Sequence, residues 1–307
     1  MPLGSNGDEH MGPSILLHRT ALAWPGVSVP LLRFLLHLEW DVPERFEWLV
    51  EVLKRELPLQ WERRTVSLDK HLRIHIDSRS AVGREIYYRG SYEPDLCRLL
   101  EQHLRPGMIC IDAGANIGEF TLRASRLVGA AGQVHAFEAS PTTFAELEAN
   151  VRLNSLTNVI LHQKALTSRS GALDFYLSGG IASGSSSLRP AHDFTGSVVT
   201  VQGVTLDDYL RDAGINQVDF IKLDIEGAEL DALRGSRRLL SILPAPMLVF
   251  EHHETVARKF GASRDSIDHL LGSLGYRLLR VGSSAGARKV GDENVPENFL
   301  AVPPSMR

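Results

Sequence analysis

The stretch MICIDAGANIGEF, residues 108–120, decides how this chain is read. Apolar residues run straight into Asp112, and small residues and glycines follow at once. That pattern is a buried strand ending in a tight turn, Gly114-Ala115-Asn116-Ile117-Gly118. In open parallel sheets, ligands sit beyond the carboxyl ends of the strands. Glycines there let the backbone approach a ligand closely and take torsions closed to other residues. The G-x-x-x-G spacing is not the G-x-G-x-x-G dinucleotide fingerprint, so the turn alone names no ligand.

Downstream the rhythm continues as helix, strand, helix. Phe120, Ala124 and Leu127 mark the inner stripe of the next helix, and QVHAFEA (133–139) is a second strand. Ser140 is placed to cap a further helix, with Pro141 in its first position and Phe144, Leu147 and Val151 inward. NVILHQKAL (158–166) is a third strand. The repeat is interrupted by two strand-like runs, GALDFYLS (171–178) and SVVTVQGVT (197–205), and TLDDYL (205–210) then starts a short helix. It resumes with VDFIKLDIEG (218–227), a helix through Leu230 and Leu233 to Gly235, and APMLVFEHH (245–253). A helix around 264–274 precedes two closing strands, YRLLRVG and ENFLAVP. Alternation of this length predicts an α/β fold, a mostly parallel sheet covered on both faces.

Upstream, Pro94 opens an amphipathic helix with Leu96, Leu99, Leu100 and Leu104 on one face and Gly107 beyond its end. Residues 65–90 alternate apolar and polar, which predicts a small β-hairpin around Gly83. FEWLVEVLKREL (46–57) places Phe46, Leu49, Val50 and Leu53 at helical spacing. The domain division expected is a flexible leader or expression scar over 1–14, an extension of helices and hairpin over 15–91, and the α/β domain over 92–307.

The 307 residues are 43% hydrophobic and 23% charged, a soluble globular composition. A net charge of −4 without a long Lys/Arg run argues against a nucleic-acid partner, because affinity there rests on neutralising phosphates. Two cysteines, Cys97 and Cys110, suit a reducing, cytoplasmic setting rather than a disulfide framework. The apolar stretch GVSVPLLRFLLHL (26–38) is broken by Pro30, Arg33 and His37 and is too short to span a bilayer. No signal-peptide core precedes it. Trp24, Leu35 and Trp40 are candidates for a homodimer face or a pocket cover.

The second strand narrows the ligand. Glu138 at its end can accept hydrogen bonds from ribose hydroxyls, as the acidic residue does in dinucleotide folds. NAD would require a tight pyrophosphate-binding turn at a helix N-terminus. S-adenosylmethionine instead brings an ammonium, which a strand-tip carboxylate such as Asp112 can pair. The expected cofactor is therefore S-adenosylmethionine, with Asp112 on its amino group and Glu138 on its sugar.

MICIDAGANIGEFTLRAS, VHAFEASP, the Asn150/Asn154 pair of LEANVRLN, TLDDYL and VDFIKLDIEGAELDALRG resemble the FkbM-type methyltransferases, from about Tyr92 to Glu254. The resemblance implies a Rossmann-like class I methyltransferase domain with a seven-stranded, mostly parallel sheet. It also implies methyl transfer to a hydroxyl of a sugar, polyketide or other small natural product. Ala139 departs from the family, where proline commonly follows the acidic residue, and this touches only local loop geometry. Two alternatives are methylation of RNA or protein, and a non-catalytic partner subunit that binds S-adenosylmethionine.

Transfer from a sulfonium is an in-line displacement, so the protein must align an acceptor lone pair and take up a proton. Candidate groups project from the fourth and fifth strands: Asp224, Glu226 and Glu229, then Glu251, His252 and His253. Nitrogen-directed methyltransferases of this fold often carry an Asn/Asp-Pro-Pro-Tyr/Phe loop. Here Asp224-Ile225-Glu226-Gly227 stands in its place, which points to an oxygen acceptor. Asp224 is expected nearest the methyl group. His252 is expected to take the proton, since its ordinary pKa suits neutral pH, and Glu226 either assists or caps the helix beginning near Gly227. The expected cofactor contacts are Glu93, Asp112, Gly114, Ala115, Asn116, Gly118, Glu138, Ala139, Lys164, Ala165 and Asp224. Tyr92 and Glu93 would close over the methionine end, with Lys164 and Ala165 beside adenine. Asp224, Glu251 and His252 could hold Mg²⁺, which seeks oxygen ligands, but metal-free transfer is the preferred expectation. The segment GGIASGSSSLRP (179–190) has the composition of a lid.

Overall fold

The computed structural model describes residues 62–178, 186–190, 194–282 and 296–306. The leader, the 46–57 helix, Trp24, Leu35, Trp40 and positions 179–185 of the expected lid lie outside them. The chain begins with a hairpin, β1 (Arg63–Ser67) and β2 (Arg73–Asp77), and helices α1 (Ala81–Arg89) and α2 (Pro94–His103). Strands and helices then alternate: β3 (Ile109–Ala113), α3 (Glu119–Val128), β4 (Gln133–Phe137), α4 (Pro141–Leu153) and β5 (Val159–His162). A three-stranded insertion follows, β6 (Ala165–Leu166), β7 (Gly171–Leu177) and β8 (Ser197–Val204). The alternation resumes through α5 (Leu206–Ala213), β9 (Phe220–Leu223), α6 (Glu229–Arg234), α7 (Arg237–Ser241) and β10 (Met247–His252). Helices α8 (Glu254–Ala257) and α9 (Arg264–Ser273) precede β11 (Arg277–Val281) and β12 (Glu297–Val302).

The central sheet has seven strands in the order β11-β12-β10-β9-β3-β4-β5, and of these only β12 runs against its neighbours. This is the mostly parallel sheet that the alternation predicts and the seven-stranded, Rossmann-like sheet that the resemblance implies. Strands β3, β9 and β10 are largely apolar because both faces are covered, with Asp112, Lys222, Glu251 and His252 as their polar residues. Ile111, Ile221, Leu248 and Phe250 pack toward Leu206, Leu230, Leu233, Ile267 and Leu271 on one side. Cys110, Phe220 and Val249 pack toward Leu96, Leu99, Leu100, Phe120 and Ala124 on the other. The direction of chain progression reverses between β3 and β9, so a crevice opens at their carboxyl ends, the position where such sheets bind ligands.

The expected turn at Gly83 is instead part of α1. Alternation ends at Asp77, and Ser80 caps the helix by accepting from the Gly83 N–H at 2.9 Å. The hairpin turns earlier, over residues 68–72, where the Asp69 carboxylate accepts from the backbone N–H groups of His71 (2.6 Å) and Leu72 (2.7 Å).

Two asparagines fasten this hairpin to α4. Asn154 accepts from the Arg73 N–H (2.8 Å) and donates to the Arg73 carbonyl (2.7 Å), as a neighbouring strand would. Asn150, fully buried, accepts from the His75 N–H (2.7 Å) and donates to the Ile117 carbonyl (2.8 Å). The hairpin is thereby tied to the glycine turn, and Val66, Ile74 and Tyr88 share one core with Ile117, Leu147 and Val151. Asn150→Ala leaves the buried Ile117 carbonyl and the His75 N–H without this partner and is expected to lower stability by about 1–3 kcal/mol, read as a shift of the urea midpoint at unchanged slope.

Candidate active site

A cavity of about 580 Å³ lies at the carboxyl ends of β3, β4, β9 and β10. Gly114, Asn116, Glu138, Ala139, Lys164, Ala165, Asp224, Glu226 and Glu251 line it. A smaller adjoining pocket shares Tyr92, Asn116 and Asp224 with it and adds Glu93, Ala115, Gly118 and Lys222. Most of the residues singled out in the sequence therefore meet around one space.

The glycine turn is held from below. The N–H groups of Gly114 (2.9 Å) and Ala115 (3.0 Å) both donate to the Phe137 carbonyl. Asn116 takes a positive φ of 52° and donates its N–H to Glu138 Oε2 at 3.0 Å. Ser140 donates its N–H to the other oxygen, Oε1, at 2.9 Å. Each Glu138 oxygen is thus bonded once to the backbone and keeps lone-pair capacity for a hydroxyl in the cavity. Burial pushes this carboxyl up to about 7, against the lowering effect of those two N–H groups.

Asp112 does not line either space. Strand β3 continues one residue past it, so its side chain points into the sheet and is wholly buried. There it accepts from the Thr121 hydroxyl and faces the Lys222 ammonium at 3.6 Å. The expected pairing of Asp112 with a ligand's ammonium is replaced by this internal pair. Lys222, which sequence reasoning missed, is 5% exposed. Its Nζ donates to the Gly114 carbonyl (3.0 Å) and meets Asp224 Oδ2 at 3.2 Å. A lysine inside the apolar run FIKL was the available signal, because lysine is almost never fully buried unless paired.

The turn after β9 is closed by Glu229, whose Oε1 accepts from the N–H groups of Ile225 (3.0 Å) and Gly227 (3.2 Å). This is the stabilising task first considered for Glu226. Glu226 instead takes a φ of 55° and lines the cavity. A non-glycine residue held in this strained region is common where a side chain serves a site. Ser187 donates its hydroxyl to the Glu226 carbonyl at 3.0 Å, and Ser186 and Leu188 line the cavity, so the described end of the Ser-rich segment borders the site.

Carboxyl groups crowd this end. Burial first, then Asp224 and Glu93, raises Glu251 to about 9. Burial and Asp224 raise Glu226 to about 8. Glu93 rises to about 7 through burial and Asp224, with Lys222 and the Asn298 amide (3.3 Å) opposing. His252 is absent from the cavity lining: its ring is buried and its Nε2 bonds Glu254 Oε2 at 2.8 Å. Successive strand residues point to opposite faces, so Glu251 reaches the cavity and His252 does not. The set Asp224, Glu251 and His252 is accordingly not assembled around one point, and among the described residues no three His, Cys, Asp or Glu side chains are grouped to hold a metal ion.

The family profile described as the Methyltransferase FkbM domain matches residues 112–278, more than half of the chain. The chain belongs to the FkbM methyltransferase family. The match contains the glycine turn, Glu138, the segment from Lys222 to Glu229, and Glu251. The FkbM chain is 34% identical over 146 residues to Methyltransferase 1 of Beauveria bassiana, covering 41% of this chain and 57% of that protein. It is 30% identical over 159 residues to the 31-O-demethyl-FK506 methyltransferase FkbM of Streptomyces tacrolimicus, covering 43% and 60%. The chain thus spans about three fifths of the length of these relatives. The crystal structure of methyltransferase FkbM from Methylobacillus flagellatus KT aligns at 17% identity and a TM-score of 0.43, over 71% of this chain and 52% of that one.

Proposed function

We propose that this chain is an S-adenosylmethionine-dependent O-methyltransferase acting on a hydroxyl of a small acceptor, a sugar or polyketide-type natural product. The observation that carries the proposal is the cavity lined mostly by the family-matched region, which holds the Glu138 carboxyl together with Asp224, Glu226 and Glu251. That donor set fits the cofactor. Glu138 would take the ribose hydroxyls, Ala139, Lys164 and Ala165 would flank the base, and Asp224 with Glu93 would meet the positive charges of the methionine part. S-adenosylmethionine, when bound, supplies a methyl group already activated by its positive sulfur.

The protein's own work is then alignment and proton uptake. Well-aligned intramolecular reactions gain on the order of 7–11 kcal/mol from orientation. Tyr92 is 43% exposed and lines the same cavity, an aromatic face on which an acceptor ring can lie. Asp224 stands beside the reacting centre, and one of the pair Glu226 and Glu251, ionised when the cationic donor is bound, takes the hydroxyl proton, the task first expected of His252. The relative named for a 31-O-demethyl substrate supports oxygen as the target. Both cysteines are free thiols, which suits a reducing compartment such as the cytoplasm.

Incubating the purified chain and methyl-labelled S-adenosylmethionine with fractionated extracts is expected to place label on a hydroxyl oxygen of a small molecule, identified by mass. Label confined to RNA, protein or an amine would overturn the assignment.

A further inference from the structure

Three acceptors surround the Lys222 ammonium, and they belong to different parts of the site. The Gly114 carbonyl (3.0 Å) is in the turn after β3, Asp224 Oδ2 (3.2 Å) is in the turn after β9, and Asp112 Oδ1 (3.6 Å) is inside β3. An ammonium has three protons and no acceptor capacity; Gly114 and Asp224 lie within hydrogen-bond distance of it, and Asp112 adds a longer ionic contact. The arrangement follows from register. Lys222 is the cross-strand partner of Asp112, and Asp224, two residues on, shares its face. The underside of Lys222 rests over the Phe120 ring at 5.7 Å. Glu93, Glu226 and Glu251 are further carboxyl groups nearby, each raised by burial and by the Asp224 charge.

We propose that Lys222 is a positioning residue for methyl transfer: it locks the Asp224 carboxylate to the glycine turn, aimed at the donor's positive end. The proposal rests on the cofactor reading above. Like charges in one site suppress each other's ionisation, and Lys222 is a buried cation that opposes this at Glu93. Its partners keep the ammonium itself strongly protonated: burial alone would favour deprotonation, but Asp224, Asp112 and Glu93 outweigh it.

The test is calorimetric titration with S-adenosylmethionine and with S-adenosylhomocysteine, each in two buffers of different ionisation heat so that released protons are counted. Asp112→Asn accompanies Lys222→Met, because removing the lysine alone strands a buried carboxylate, and Asp112→Asn alone is the reference. The double variant is expected to bind S-adenosylmethionine on the order of tenfold more weakly than the reference and to release more protons per donor bound. Adding Asp224→Asn should weaken binding no further, since Lys222 acts through Asp224. Unchanged affinity and proton count, or a loss that adds in full to that of Asp224→Asn, would overturn the proposal. Should the double variant fail to fold, Lys222→Arg, which keeps the charge but not the compact ammonium, takes its place: weaker binding that Asp224→Asn does not deepen supports the role of Lys222, and unchanged affinity ends it. Failure of the unaltered chain to bind either ligand would instead remove the cofactor reading itself.

Discussion

Gly114→Ala is expected to abolish donor binding and to lower stability by at least about 3 kcal/mol. Two separate causes combine at this position. Its φ of +76° is one that L side chains rarely adopt, and a Cβ there would lie 1.7 Å from the Asp224 carbonyl oxygen and 2.8 Å from its carbonyl carbon. Backbone cannot swing aside as a side-chain tip can, so the turn after β9 has to move. That movement carries Asp224 and Glu226 away from their places and breaks the Lys222 bond to the Gly114 carbonyl. Gly107→Ala separates the two causes. Gly107 has a φ of +89° with nothing within 4 Å of its added Cβ, so the loss there is torsional alone, about 1–2 kcal/mol. Urea unfolding and calorimetry with S-adenosylmethionine measure both variants. Equal losses would show that the close approach of the two turns is not what requires glycine.

What was legible in the sequence was whatever obeys a period or a local rule. The largely apolar runs around Ile111, Ile221 and Val249 give the parallel strands, and Ser140-Pro141 gives the start of α4, with the Thr143 N–H donating to the Ser140 hydroxyl. Glu138, Asp224 and the glycine turn could be placed because strand ends and turns are readable locally. Asp112 and His252 were misplaced for one reason: each is a single residue away from a position that faces the cavity, and strand boundaries are fixed by hydrogen bonding across the sheet rather than by composition. Gly83 was misread because a glycine ended the apparent alternation, whereas the Ser80 cap had already started a helix. Lys222 stood out only as a lysine in an apolar run, because two of its three partners, Asp112 and Gly114, come from β3 and its turn, more than a hundred positions earlier. The contact of Asn150 with the hairpin is of the same kind: the motif is plain, but its partner is set by the tertiary fold.

Glu251→Gln is expected to slow turnover on the labelled acceptor by about 10²–10⁴-fold while making the ligand-free chain more stable at pH 8. The opposite signs follow from the crowding. In the unfolded chain a glutamate ionises near pH 4.3, but in the folded chain Glu93, Glu226 and Glu251 hold their protons to about 7, 8 and 9. Between roughly pH 5 and 9 the folded state therefore binds more protons than the unfolded one, and its stability falls as pH rises. Glutamine keeps the shape of Glu251 but has no proton to lose, so it removes part of that fall. A cationic donor reverses the balance: it favours the ionised carboxylates, so its affinity should climb across pH 7–9. The demethylated product, lacking the charge on sulfur, should climb less. Thermal melts across pH, calorimetry with both ligands and single-turnover rates test the three statements together. If turnover survives the substitution, proton uptake belongs to Glu226 alone. If stability at pH 8 falls along with turnover, Glu251 is a structural group and the crowding argument fails at its strongest point.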